Sequence, residues 1–252
     1  MPDAAMSAML AAAGLDWIVP DWHVPANVHA VSTTRRGAAG REMDFSPRGA
    51  DIGAARSTLR SLLPAEPRWL SQEHGRTIVS ADADQPRAPQ ADGAVARVAG
   101  RVCAVLTADC LPVLLADREG SVVAAVHAGW RGLAAGVLEA AVDAVSVAPA
   151  SLLAWLGPAI GPSAFEVGAD VYAAFCDADP AATVCFVAGR PGKWYADLYA
   201  LARRRLARSG VSAVYGGGRC TFSERETFYS YRRGGAETAR RMATLVWRED
   251  AA

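Results

Sequence analysis

Val102-Cys-Ala-Val-Leu-Thr-Ala-Asp-Cys110-Leu-Pro and Ser121-Val-Val-Ala-Ala-Val-His127-Ala-Gly-Trp-Arg-Gly132 are the stretches whose reading decides the fold. Short apolar runs closed by Asp, Pro and Gly predict strands near 102–107, 111–116 and 121–127. Cys110 and His127 fall at strand ends, where a rigid frame presents side chains to a cleft. A soft thiolate and an imidazole suit a zinc ion, and Gln72-Glu73-His74-Gly75 offers a third donor upstream. Three protein ligands leave the fourth position open, as a catalytic zinc requires. Each residue also has a plain reading. Cys110 alone is a small buried hydrophobe, His127 a core histidine, and His74 an ordinary loop residue.

Outward from these strands, the pattern alternates. Val28-His-Ala-Val-Ser-Thr-Thr34 predicts a first strand, and 54–63 a short helix stopped by Pro64 and Pro67. Residues 81–93, with Pro86, Pro89 and several Asp, read as a surface loop. Leu133, Val137, Leu138, Ala141 and Val145 carry helical spacing, predicting a helix over 133–147. Beyond it come a strand at 152–156, the rigid turn Gly157-Pro-Ala-Ile-Gly-Pro162 and a helical stretch at 163–176. A strand at 183–187, an Arg-rich amphipathic helix at 194–208, a strand at 211–215 and a terminal apolar run at 238–247 complete the series. Strands and helices interleave without strict βαβ rhythm, repeat or linker. We expect a single catalytic domain spanning 1–252, α/β or α+β, with a mixed β-sheet core and surrounding helices.

The chain has 252 residues, of which 52% are hydrophobic, enough to bury a full core. Its 26 basic and 26 acidic residues cancel, so no global field draws it to nucleic acid or anionic lipid, and a small-molecule partner is expected. Five unpaired-looking cysteines point to a reducing compartment, and cytoplasm is the expectation. The Ala-rich start has no Lys or Arg before Arg35, unlike a signal peptide, and no apolar run reaches membrane-spanning length. Nothing in the sequence sets the oligomeric state.

Arginines form a second constellation. Arg35, Arg131 and the pair Arg232-Arg233 flank Gly-rich turns or the proposed metal site, and guanidinium forks match phosphate oxygens. Arg131 and Arg35 are the first choices, against the background that most arginines of an Arg-rich chain are simply solvated. Asp109, beside Cys110 at the strand exit, is a candidate catalytic carboxylate.

The segments Leu106-Thr-Ala-Asp-Cys-Leu-Pro-Val-Leu, Val122-Val-Ala-Ala-Val-His-Ala-Gly-Trp-Arg-Gly-Leu, Gly157-Pro-Ala-Ile-Gly-Pro with Phe165-Glu-Val-Gly168, Trp194-Tyr-Ala-Asp-Leu, Cys220-Thr and Phe228-Tyr-Ser-Tyr-Arg-Arg resemble the purine nucleoside phosphorylase family. That family was formerly called multicopper polyphenol oxidoreductases or laccases, and its bacterial members are also described as peptidoglycan editing factors. The resemblance runs from about 28 to 247. It implies zinc at His74, Cys110 and His127, phosphorolysis of adenosine, guanosine, inosine and methylthioadenosine, and a side activity of adenosine deamination. Glu73 stands where the family usually has Val, and Ala159, Ser163 and Ala164 where it often has Cys. Thr238-Ala-Arg240 replaces its usual Thr-Gly-Arg.

Phosphorolysis needs an anionic nucleophile brought to the ribose carbon bearing the base, a task for phosphate-orienting arginines. Deamination needs hydroxide at neutral pH, which zinc supplies by lowering the pKa of water to about 7. Asp109, Glu73 or Glu166 can pass a proton to the leaving purine. A multicopper oxidase is excluded by composition, since four histidines cannot ligate a trinuclear and a blue-copper centre, although a single Cu2+ can take the place of Zn2+. A cysteine amidase or peptidase acting on peptidoglycan precursors, with Cys110 as nucleophile and His127 as base, a polyphenol oxidase binding a single copper, and a non-catalytic zinc-binding module are the other readings.

Overall fold

Unbroken apolar strands need cover on both faces, and the architecture supplies it by stacking sheet on sheet. A computed structural model describes residues 3–47, 49, 52–83, 88–235 and 239–250. Its largest sheet runs β11(213–216), β7(152–156), β5(111–117), β6(123–128), β3(93–96), β2(78–80), parallel at its two outer pairs and antiparallel between. A second sheet, β1(28–32), β12(242–248), β4(102–107), is antiparallel throughout. A small third sheet joins β8(166–167), β10(194–196) and β9(186–188).

Side-chain alternation assigns every central residue to a layer. Leu111, Val113 and Leu115 of β5 and Ala124 and Val126 of β6 meet helices α3(130–135), α4(137–145), α5(169–176) and α6(198–208). The opposite face, Leu114, Ala116, Val123 and Ala125, packs on Cys103 and Val105 of β4. Val102, Ala104 and Leu106 then turn outward to α1(4–12) and α2(52–60). The order is therefore helices, six-stranded sheet, three-stranded sheet, helices. This is the mixed α/β fold that the sequence predicts.

Local differences have local causes. The predicted helix at 133–147 starts earlier, at Trp130, and breaks at Gly136, whose φ of +92° ends α3 and starts α4. The stretch 163–176 is helical only from Ala169; Glu166 and Val167 pair with β10 instead. A 3-10 helix over Pro180–Cys185 precedes β9, displacing the strand predicted at 183–187. Trp194–Ala196 is a strand, and α6 begins at Leu198 because the Asp197 carboxylate caps it by accepting from the Ala200 N–H. The first strand ends at Ser32. Residues 84–87 of the predicted loop and Thr238 lie outside the described residues.

Leu114, fully buried between the two sheets, tests the layer order. Leu114→Ala should cost about 2–5 kcal/mol in denaturant unfolding, whereas an exposed position would lose almost nothing.

Candidate metal centre and adjoining cavity

Four neighbouring strands deliver the site at one end of the large sheet. Cys110 precedes β5, His127 closes β6, Asp92 precedes β3, and His74 lies four residues before β2. Antiparallel pairing of Leu111 with Ala128 brings Cys110 beside His127, and the parallel β2–β3 pair brings the His74 loop to Asp92. The donor atoms of His74, Cys110 and His127 lie within 4.8 Å of one another. Cys110 Sγ stands 3.7 Å from His74 Nε2, within the roughly 3.3–3.8 Å that separates ligands about 2.0–2.3 Å from a tetrahedral centre. Two imidazoles and a thiolate fit zinc, and equally a single copper ion.

Asp92, wholly buried, organises this cluster. Its Oδ1 accepts from His127 Nδ1 at 2.8 Å and from the His74 N–H at 2.9 Å, and its Oδ2 accepts from the Gly75 N–H at 2.6 Å. With Nδ1 engaged, His127 turns Nε2 to the metal position, a carboxylate–histidine–metal arrangement. Burial alone would raise the Asp92 pKa; the His127 and backbone hydrogen bonds outweigh it and hold the carboxyl below its ordinary value. Burial likewise opposes ionisation of Cys110, yet the His127 and His74 imidazoles bring its thiol down to about 6. His127 is pushed up to about 9, against burial, by the Cys110 thiolate and Asp92.

The glycines of His127-Ala-Gly-Trp-Arg-Gly132 are steric requirements. A Cβ on Gly129 would stand 2.9 Å from His74 Cδ2 and 3.0 Å from Cys110 Sγ, and one on Gly132 would stand 2.6 Å from the Gly75 carbonyl. Two non-glycine residues at the site hold left-handed backbone, His74 at φ +62° and Asp109 at φ +97°.

The triad opens into a cavity of about 660 Å³, within the range of small-molecule sites. Arg131 and Arg232 line it, as does Arg241. Arg131 stacks over Trp130, and Arg232 donates to the Glu166 carbonyl. Arg35 and Arg233 are not brought to the wall. Arg35 pairs with Glu42 and the Arg225 carbonyl and lies over Tyr229, and Arg233 donates to the carbonyls of Thr221, Phe222 and Phe228. Asp109 lines the cavity, but its carboxylate accepts from Thr221 Oγ1, Ser230 Oγ and the Arg232 N–H, so it ties the strand exit to the helix α7(231–234). The Glu166 carboxylate is held by Arg190, and Glu73 is outside the cavity lining. Sequence reasoning missed Asp92 and Arg241. An Asp-Gly pair opening an apolar run was the available signal for the first; nothing in the sequence distinguished the second from its neighbour Arg240.

A His-Cys-His cluster able to hold a metal ion, set at the sheet end of an arginine-lined cavity, defines the class: a mixed α/β protein with a candidate catalytic metal centre. The chain belongs to the family described as multi-copper polyphenol oxidoreductase laccases, matched over residues 40–249. It is 49% identical over 245 residues to the purine nucleoside phosphorylase PA4543 of Pseudomonas aeruginosa, covering 93% of this chain and 99% of the relative. It is 45% identical to the purine nucleoside phosphorylase YfiH of Escherichia coli, covering 91% and 98%. Among solved structures, the Neisseria meningitidis protein NMB0706 superposes with a TM-score of 0.88 at 44% identity, covering 93% of this chain and all of that one.

In metal-free protein, alkylation of Cys110 by iodoacetamide should persist as pH falls from 9 and halve near pH 6, because only the thiolate reacts. The ion pair's stability contribution follows the same sign. The cysteine part is lost as pH falls through about 6 and the histidine part as pH rises through about 9. Zn2+ should protect the thiol. Asp92→Asn should weaken metal affinity about 10–100-fold, read by competition with a chelating dye.

Proposed function

We propose that this chain is a metal-dependent purine nucleoside phosphorylase, acting on adenosine, guanosine, inosine and methylthioadenosine, with adenosine deamination as a side activity. The observation that carries the reading is the cavity itself, in which the His74, Cys110 and His127 donors face the same space as Arg131, Arg232 and Arg241. Relatives that cover nearly the whole chain and are named purine nucleoside phosphorylases support the same reading. The partners are then a purine nucleoside and phosphate. No helix among the described residues is long and apolar enough to cross a membrane, in keeping with a cytoplasmic enzyme.

In phosphorolysis a phosphate oxygen bonds to ribose C1′ as the C1′–N9 bond breaks, and the electron pair leaves with the purine, which takes up a proton. The chain contributes first by proximity, since guanidinium groups bind and orient the phosphate against the sugar. They also screen the anion's charge as it approaches an oxocarbenium-like ribose. Trp130, Phe165 and Tyr231 give the cavity aromatic surface for a purine. Asp109 acts as a positioning residue, because its carboxylate fixes Arg232 and the turn before Cys110. Zn2+, or Cu2+ in its place, supplies Lewis acidity, and zinc brings the pKa of water to about 7. The same three donors thus support deamination, in which water adds to C6 and ammonia leaves.

Cys110→Ala should lose bound metal and phosphorolysis together, while a thiol amidase would work without metal and a binding module would turn nothing over. Arg131→Lys keeps the charge and loses the fork, so KM for phosphate should rise several-fold with metal content unchanged. Ribose 1-phosphate must appear in step with free base; equal release of free ribose without phosphate would overturn the assignment. Across a phosphate titration with adenosine, inosine formation should fall as adenine formation rises if both reactions share the site.

A further inference from the structure

His74, Cys110 and His127 stand on three separate stretches of chain, so a metal position exists only if each pair of stretches is held at a fixed separation. Two of the three ties are plain. Asp92 joins His74 to His127, and the pairing of β5 with β6 joins Cys110 to His127. The third pair, His74 and Cys110, lies 36 residues apart in sequence. Among the described residues, strand-like pairing of their stretches occurs further back, where Arg68 bridges Cys103 and donates its N–H to the Val102 carbonyl. A side chain makes the tie nearer the site. Gln72 Nε2 donates to the Leu106 carbonyl at 2.9 Å, and Gln72 Oε1 accepts from the Leu106 N–H at 2.8 Å.

Leu106 is buried on β4, an edge strand of its sheet, so its two main-chain groups need partners that no further strand supplies. The Gln72 amide supplies both, as a neighbouring strand would. A single planar group must offer a donor and an acceptor at once, which a carboxylate, hydroxyl or ammonium in this position cannot match in shape and polarity together. The two bonds also fix the amide's orientation, because the flipped form would set like groups against each other. Gln72 precedes His74 by two residues, and Leu106 precedes Cys110 by four. Clamping Gln72 to Leu106 therefore holds the stretch that carries one ligand against the stretch that carries the other. Cys110 Sγ and His74 Nε2 stand 3.7 Å apart beyond the clamp, and all four residues line the same cavity.

We infer that Gln72 is a positioning residue of the metal centre, its side-chain amide setting the separation of His74 and Cys110 through the Leu106 main chain. The inference rests on the metal-dependent reading of the site and is independent of which nucleoside the cavity takes.

The test compares wild type with Gln72→Met, which keeps the length of the side chain and loses both bonds. Zinc affinity is read by competition with a chelating dye, and should fall about tenfold or more. Co2+ titrated into metal-free protein gives a second reading, since its visible absorption depends on coordination geometry; the variant's spectrum should differ from that of wild type at saturation. Gln72→Asn keeps the amide but is one methylene short of bridging both groups, so its loss should be intermediate, and it serves if the methionine variant does not fold. Asn27→Ala removes an amide that bonds the Gly120 and Glu249 carbonyls outside the cavity lining, and controls for lost stability alone. Its zinc affinity should stay that of wild type. Unchanged zinc affinity and Co2+ spectrum in folded Gln72→Met, or in Gln72→Asn where only that variant folds, overturn the inference, whatever the melting temperature does. A wild type that binds no zinc removes the metal-dependent reading and this inference with it. Metal-loaded wild type without phosphorolysis removes the phosphorylase reading alone, and the affinity comparison still decides the role of Gln72.

Discussion

One buried carboxylate, that of Asp92, holds together parts of the chain that share no strand. It receives the His127 ring and the backbone N–H groups of His74 and Gly75, and its carbonyl accepts the His127 N–H at 2.6 Å. Burying a carboxylate is costly unless its oxygens are filled, and here they are filled by the groups that build the site. The same bonds fix the His127 tautomer and hold His74 in left-handed backbone. Without Asp92 the two histidines would have no common anchor, and His74 would revert to the ordinary loop residue its sequence suggests.

Packing imposes the second constraint. Gly129 and Gly132 leave the space into which His74, Cys110 and the Gly75 carbonyl fit, so the motif around His127 is as much a packing signature as a chemical one. This is why the centre was legible in the sequence. Strands buried on both faces must be written as apolar runs, and polar residues at their ends stand out against them. β4, β5 and β6 are legible for that reason. The short β2 and β3 are not, because Gly93-Ala-Val-Ala96 is too brief and too small-sided to separate from the loop before it. The helix α1 is hidden in an Ala-rich stretch, where Met6 and Leu10 are the side chains that bury it.

Arginines were the less legible group. The Gly-rich turn points to Arg35, but Glu42 lies across that turn and pairs with it, leaving the cavity to Arg241 at the mouth of β12. Pairing decided the outcome, and pairing between residues distant in sequence is invisible before the fold is known. Histidine shows the converse. Four in the chain is a count that folding cannot change, and His23 and His29 are engaged with Tyr215 and Asp3, far from the cluster in their contacts. The family's multi-copper description therefore asks for more imidazoles than this chain can bring to one place.

Charge connects the remaining parts. The thiolate of Cys110 is the one formally anionic donor of the triad, since the imidazoles bind a metal as neutral ligands. A divalent ion there keeps a net positive charge, and Arg131, Arg232 and Arg241 add to it around the cavity. Asp109 does not cancel them freely, because its oxygens are turned to Thr221, Ser230 and the Arg232 backbone. A concave, partly apolar wall focuses such a field and raises the local concentration of anions. The arrangement thus favours a negatively charged ligand at the cavity before any contact is made. Three arginines beside a metal position match the geometry of a multiply charged oxyanion, and they add nothing to the passage of an electron from a neutral phenol.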